Sequence, residues 1–381
     1  MIYMDNSATT KPFDEVVETY AKVATAYFGN PSSLHSLGMQ AEGLMTESRN
    51  RIADLLEVKP SELVFTSGGT EGNNLAIKGV AYARKNRGKH LITTVVEHPS
   101  VEESFRQLEE EGYDVTYLDV DHFGRVHVEQ VAAAIRHDTI LISIHHVNSE
   151  VGTIQPVEEI GEMLSKYPHI YFHVDHVQGI AKVPLAFKQA NIDLATCSAH
   201  KFHGMKGTGF LFVREGVQMQ PLFQGGGQES QTRSGTENVA GIVSMAKALR
   251  IAIERKNKRH DILSELRKQF IAGVTGIEGA VLNSPIDGAA PHIVNFSILG
   301  TKPEVVVQSL TAKHIYVSTK SACSSKLSAP SKVLTAMRIG EERAQTGIRV
   351  SFSYETTADE IETVIKELNV LIPELLEVTK S

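Results

Sequence analysis

The chain predicts an α/β fold, in which a mostly parallel sheet covered by helices is joined to a smaller α+β domain. Two observations carry that expectation. Short apolar runs alternate with helix-period segments through the first two-thirds of the 381 residues, the pattern left by parallel strands with crossover helices. A long amphipathic stretch then gives way to a second group of short strands and a closing helix.

In chain order, residues 62–67 (ELVFTS) form the first clear run, followed by Gly68-Gly69 and a helical pattern through Leu75, Ile77 and Val80. Residues 90–96 (HLITTVV) lead into a helical stretch at 100–112. Runs at 114–119, 139–144 and 170–174 continue the series, and 209–213 (GFLFV) reads as a buried strand. In such sheets ligands bind at the carboxyl ends of the strands. Thr70, His98, Asn148, Asp175 and Lys201 all follow or end a run. Residues 244–271 read as one long amphipathic helix with a charged middle, bridging to a second domain whose strands fall at 281–297, 315–317 and 347–353. Thr357 and Glu360 form a capping-box pattern that opens the last helix, with Ile361, Val364, Leu368 and Ile372 on one face. Residues 318–332 (STKSACSSKLSAPSK) are rich in serine and lysine and lack a period, which predicts an exposed, mobile loop. That loop carries Cys323.

A net charge of −7 argues against a protein that lives on nucleic acid or anionic lipid. Two cysteines in so long a chain do not build a disulfide framework and suit a reducing compartment. The N-terminus lacks an export-signal pattern, and no apolar run approaches the ~18 residues of a membrane span. A cytoplasmic, soluble protein is expected.

The chemistry gathers around Lys201. Its neighbours Ala195, Cys197 and Ala199 are apolar, so it is expected at the edge of a core, where burial disfavours the ammonium and favours a nucleophilic amine. Gly68-Gly69-Thr70 stands between a strand and a helix, whose first amides can hold a phosphate. Asp175 ends a strand and can meet a protonated ring nitrogen, with Gln178 able to reach the same crevice. Ser198 and His200, two apart in an extended segment, would face one side and Lys201 the other. A lysine, an acidic partner and a phosphate cradle jointly describe a site for pyridoxal 5'-phosphate. A rival metal reading uses His173-x-x-His176, His200-x-x-His203 and His145-His146. On a strand, i and i+3 point to opposite faces, so His173 and His176 would not converge.

Taken together, these segments resemble the cysteine desulfurases of the NifS/IscS-like branch of the class V pyridoxal-phosphate-dependent aminotransferase family. The resemblance runs almost end to end: Asp5-Asn-Ser-Ala-Thr-Thr10, Phe28-Gly-Asn-Pro-Ser-Ser-Leu-His35, Thr66-Ser-Gly-Gly-Thr-Glu71, Glu97-His98, His146-Val-Asn148, His173-Val-Asp175 with Gln178, Ser198-Ala-His-Lys201, Gly225-Gly-Gly-Gln-Glu229, Arg233-Ser-Gly-Thr236, Ser321-Ala-Cys323 and Gly347-Ile-Arg349. His176 and Met205 stand where the family often has a small residue and proline.

The resemblance implies a fold-type I homodimer that takes sulfur from L-cysteine and leaves L-alanine. It implies a large cofactor-binding domain at 15–255, with 1–14 and 256–381 forming the small domain that carries the loop. Position by position, Lys201 would be the Schiff-base lysine and the base for the Cα proton. His98 would stack on the ring, and Asp175 would pair with its nitrogen. Gln178 and Asn148 would sit by the phenolic oxygen. Gly69, Thr70, Ser198 and His200 would hold the phosphate, with Thr236 completing the cradle from the other subunit. Arg349 would clamp the substrate carboxylate. Cys323 would take the sulfur as a persulfide, ionising below its free pKa of ~8.5 near Lys320 and Lys326. It would pass the sulfur to an acceptor such as an iron–sulfur scaffold or a tRNA-thiolating enzyme, and its persulfide could transiently ligate an iron–sulfur cluster. Two other readings remain at this point. One is a cysteine or selenocysteine lyase that frees its product; the other is a non-catalytic sulfur carrier.

Overall fold

The computed structural model describes residues 1–259, 261–319 and 329–380, without the side chains of 378–380. Cys323 and its lysine neighbours Lys320 and Lys326 lie outside the described residues.

A seven-stranded sheet forms the centre, in the order Leu63–Thr66, Gly209–Val213, Leu194–Ser198, Tyr171–Asp175, Thr139–His145, His90–Thr94, Asp114–Leu118. Gly209–Val213 runs antiparallel to both neighbours, and the four pairings beyond Leu194–Ser198 are parallel. Alternation along each strand feeds two cores. Leu91, Leu141, Leu194 and Leu211 pack under the helices Gly69–Arg84 and Pro99–Glu110, with Leu75, Val80 and Phe105. Ile92, Ile142, Ala195 and Phe210, one residue on or back, join Val16, Ile52 and Leu249 of Asp14–Ala26, Ser36–Leu56 and Val239–Lys258. Both faces are therefore covered, which leaves the carboxyl ends of the parallel strands as the place for a site.

A second sheet is antiparallel, in the order Gly347–Ser351, Ile293–Ile298, Ala280–Leu282. Its core joins Phe270, Phe296 and Phe352, whose rings lie 5.8 Å apart in each contact with Phe270, to the helices Ile262–Thr275 and Ala358–Lys380. Met4 belongs to this core, because Ile2–Tyr3 pairs in parallel with Ile315–Tyr316. The chain's beginning is thus fixed on its C-terminal third.

One expectation needs correction. The stretch 244–271 is two helices, Val239–Lys258 and Ile262–Thr275. The polar run ahead of the break has no apolar stripe to hold a continuous helix. Arg255, Lys256 and Lys258 instead gather in the last turn, where they complement the helix dipole, and Arg259 reaches the Tyr354 carbonyl at 2.5 Å. The capping box forms as read: Thr357 N–H donates to Glu360 at 3.0 Å, and Glu360 N–H to the Thr357 hydroxyl at 3.2 Å.

Candidate active site

A cavity of about 260 Å³ opens where the parallel strands end. Lys201 reaches it from the turn Ala199–Lys201, which follows the strand Leu194–Ser198. The 3₁₀ turn corrects the extended geometry expected here. Phe202 N–H bonds back to the Ala199 carbonyl at 3.0 Å, so alternation stops at Ser198, and Ser198, His200 and Lys201 all line one cavity. The Lys201 amine donates to the Ala8 carbonyl at 2.9 Å and to that of Ser7. Burial, reinforced by the positive Arg349 and Lys182, pulls its pKa down to about 7, with Asp5 and Asp175 opposing. A neutral amine is therefore available near neutral pH.

Asp175 is the last residue of Tyr171–Asp175 and also lines the cavity. One oxygen accepts from the Asn73 amide at 2.8 Å, the other from Val177 N–H at 3.0 Å. Both partners are neutral, so the carboxylate's charge remains for a cationic ring nitrogen. Asn73, on Gly69–Arg84, also donates to Ser100 at 2.9 Å. His98 N-caps Pro99–Glu110 and contacts the Ser100 hydroxyl at 2.8 Å; burial first of all keeps its pKa below the usual histidine value. Beside it, His145 lies 3.0 Å from the Glu97 carboxylate. Burial pulls that histidine's pKa down, and Glu97 outweighs it to give a net rise.

Gly68 has φ 146°, a conformation that favours glycine, and Gly69 opens a helix of 16 residues. A Cβ on Gly69 would meet Val177 at 3.0 Å, and one on Gly68 the Ser198 hydroxyl at 3.5 Å, so the loop comes close to its neighbours because it lacks side chains. Thr70, Ser198 and His200 stand around this helix start, and a second opening reaches it past Lys206. His200 contacts the Thr9 hydroxyl at 3.1 Å, and its pKa falls to about 3, chiefly through burial. Thr236 is exposed and does not line the cavity of its own chain.

Arg349 comes from the other sheet, on Gly347–Ser351, and is 1% exposed. It pairs with Asp5 at 2.8 Å and donates to the Ser149 carbonyl at 2.9 Å. Asn148 shapes the neighbouring turn: its oxygen accepts from Glu150 and Val151 N–H at 2.9 and 3.0 Å, and its amide donates to Val96 at 3.2 Å. Gln178 donates to the Ser7 carbonyl at 3.0 Å.

Among the described residues, five buried polar atoms on the cavity's lining residues have no hydrogen-bond partner: Ser7 Oγ, Asn73 Oδ1, His145 Nδ1, Gln178 Oε1 and Arg349 Nε, of which His145 Nδ1 has the Glu97 carboxylate within ion-pair reach. Such orphans are costly unless a ligand meets them. With a lysine of lowered proton affinity, an available carboxylate and a glycine-lined helix start, they fit pyridoxal phosphate. The histidines of the rival reading have other partners. His173 contacts Ser143 and Thr196 at 2.8 and 2.9 Å, whereas His176 contacts His146 at 2.9 Å. His203 stacks on Phe13 and contacts the Lys11 carbonyl. Cys197 is fully buried, and burial pushes its thiol well above the usual range, as suits a packing residue.

Asn73 and Ser7 carry no individual role in the sequence reading. A polar residue inside the apolar period of a helix marks Asn73, and the quoted Asp5–Thr10 segment contains Ser7. For His145 the sequence offers only the metal-ligand reading.

The family model for class-V aminotransferases matches residues 2–364. A NifS/IcsS protein homolog of Lactobacillus delbrueckii subsp. bulgaricus is 46% identical over 370 residues, covering 96% of this chain and 95% of the relative. Cysteine desulfurase IscS of Dictyoglomus turgidum is 42% identical over 375 residues, covering 98% and 95%. A solved NifS-like protein superposes with a TM-score of 0.93 at 36% identity, covering 98% of this chain and all of that one.

Proposed function

The chain belongs to the class-V aminotransferase family and is a cysteine desulfurase that uses pyridoxal phosphate, and from that premise we propose how its residues divide the work and where the sulfur goes. Bound pyridoxal phosphate supplies an electron sink for charge developing at the substrate Cα. The Lys201 amine would attach the cofactor and would be the base that moves the Cα proton. Asp175 holds the ring nitrogen, His98 covers the ring face, and Gln178 and Asn148 lie by the phenolic oxygen. Gly69, Thr70, Ser198 and His200 hold the phosphate, joined by Thr236 of the partner subunit in a homodimer. Arg349 takes the carboxylate of L-cysteine with its planar fork. The observation that carries this division is the Lys201 amine, held in the cavity by the Ser7 and Ala8 carbonyl oxygens and drawn toward its neutral form.

The Cys323 thiolate then attacks the sulfur of the bound cysteine. The carbon–sulfur bond breaks, its electron pair returns to carbon, and a proton completes L-alanine. The sulfur stays on Cys323 as a persulfide for an acceptor protein, an iron–sulfur scaffold or a tRNA-thiolating enzyme; its transient ligation of a cluster belongs to the same proposal. Residues 15–255 act as the cofactor domain, and 1–14 with 256–381 as the smaller one. Among the described residues no helix is long and apolar enough to cross a membrane; a cytoplasmic site of action is part of the proposal. Borohydride reduction of the holoenzyme followed by peptide mapping tests the assignment. The account expects one pyridoxyl group, on Lys201; a label on another lysine would overturn it.

A further inference from the structure

We propose that Lys182, whose buried ammonium donates to the main-chain oxygen of Lys201 at 2.6 Å, positions the reactive lysine and opposes a second positive charge upon it. This rests on the reading of Lys201 as the cofactor-attachment residue. Lys182 is 8% exposed and makes no ion pair with a carboxylate among the described residues. An unpaired buried ammonium is costly and persists where something else is gained. Here the contact reaches the turn that aims Lys201 into the cavity. It fixes the backbone end of the side chain, while the Ser7 and Ala8 carbonyls fix the amine end.

The groups around the two lysines make the electrostatics one-sided. Those that bear on Lys182's neighbourhood are His176, His200, His203 and His292, all drawn below the usual histidine value chiefly by burial and so uncharged near neutral pH. Lys256 and Arg255 stand beyond His176 and His203. Lys201 itself faces Arg349, Asp5, Asp175 and His98. The two carboxylates lie toward Lys201 rather than Lys182. Burial lowers Lys182 to about 8 and Lys201 to about 7, and the positive Lys182 adds to the fall at Lys201.

The test is a pH titration of the bound cofactor's visible absorption, which reports the proton on the Lys201 nitrogen, in wild type and in Lys182→Gln, Lys182→Met and Lys182→Arg holoenzymes. The midpoint should rise by about one unit in the Gln and Met variants and return to the wild-type value with Arg. An unmoved midpoint in Lys182→Gln, even with lowered thermal stability, would make Lys182 a packing residue and overturn the proposal. Labelling at Lys201 is checked in each variant first, so an unmoved midpoint counts against Lys182 alone, whereas a label elsewhere removes both readings. A readout free of variants is ¹³Cε-lysine NMR on the wild-type holoenzyme. One buried lysine should titrate near pH 8, and its absence contradicts the idea.

Discussion

Lys201, delivered by the seven-stranded sheet, and Arg349, delivered by the three-stranded one, meet at one cavity in opposite states. Among the described residues Lys201 has only carbonyl hydrogen-bond partners and a depressed proton affinity, and Asp175 beside it is held by neutral donors. Arg349 is already engaged by Asp5 and the Ser149 carbonyl. The cofactor side is thus left electrostatically unsatisfied, which suits a tightly held group. The substrate side is partly engaged before anything binds, with Arg349 Nε still open, so an incoming carboxylate must share or displace Asp5. That arrangement suits a small molecule that comes and goes on every turnover.

The contrast can be broken at either end. Lys201→Ala should cost the most, roughly 10⁴-fold in alanine formation with the fold intact; a loss under tenfold would move the chemistry to another group. Arg349→Gln should raise the KM for L-cysteine roughly 10²-fold with a smaller effect on kcat, and Arg349→Lys should not restore it. Equal losses in kcat and kcat/KM would mean that Arg349 acts in the transition state instead.

The next effect concerns stability. The Lys201 pKa falls from 10.5 in the unfolded chain to about 7 in the folded one. Between those values the unfolded state binds the extra proton, so the cofactor-free protein gains stability as pH rises from about 7 toward 10, by up to ~1.4 kcal/mol per pH unit from this lysine. Denaturant midpoints from pH 7 to 9.5 should show that rise, less steep in Lys201→Met; identical slopes would deny the shift. Last, Asp5→Asn removes the charge that competes for Arg349 and should lower KM two- to five-fold. A higher KM would show that Asp5 aims the guanidinium rather than competing for it.

The parallel sheet was legible because its strands are short apolar runs between helical periods, and residues such as Leu91 and Ile92 are apolar on both faces. The positions of Asp175 and Lys201 followed from strand ends. The end of the helix at Lys258 was not legible, since a charged run reads alike as an exposed helix face or as its end. The turn at Ala199–Lys201 was hidden for a similar reason: nothing local opposes an extended chain there, and the bend is held by tertiary contacts such as Thr10 with His200 and Lys182 with Lys201. Asn73 and Lys182 act through partners about a hundred and about twenty residues away, a pairing that only folding brings together.

The most direct measurement is alanine formed from L-cysteine by the purified holoenzyme, with Cys323→Ala run alongside and persulfide assayed on the protein. The account predicts alanine and a Cys323 persulfide in wild type, and neither in the variant, with the cofactor's absorption retained in both. Equal alanine from both proteins would contradict it, because the thiol would then be dispensable to breaking the carbon–sulfur bond.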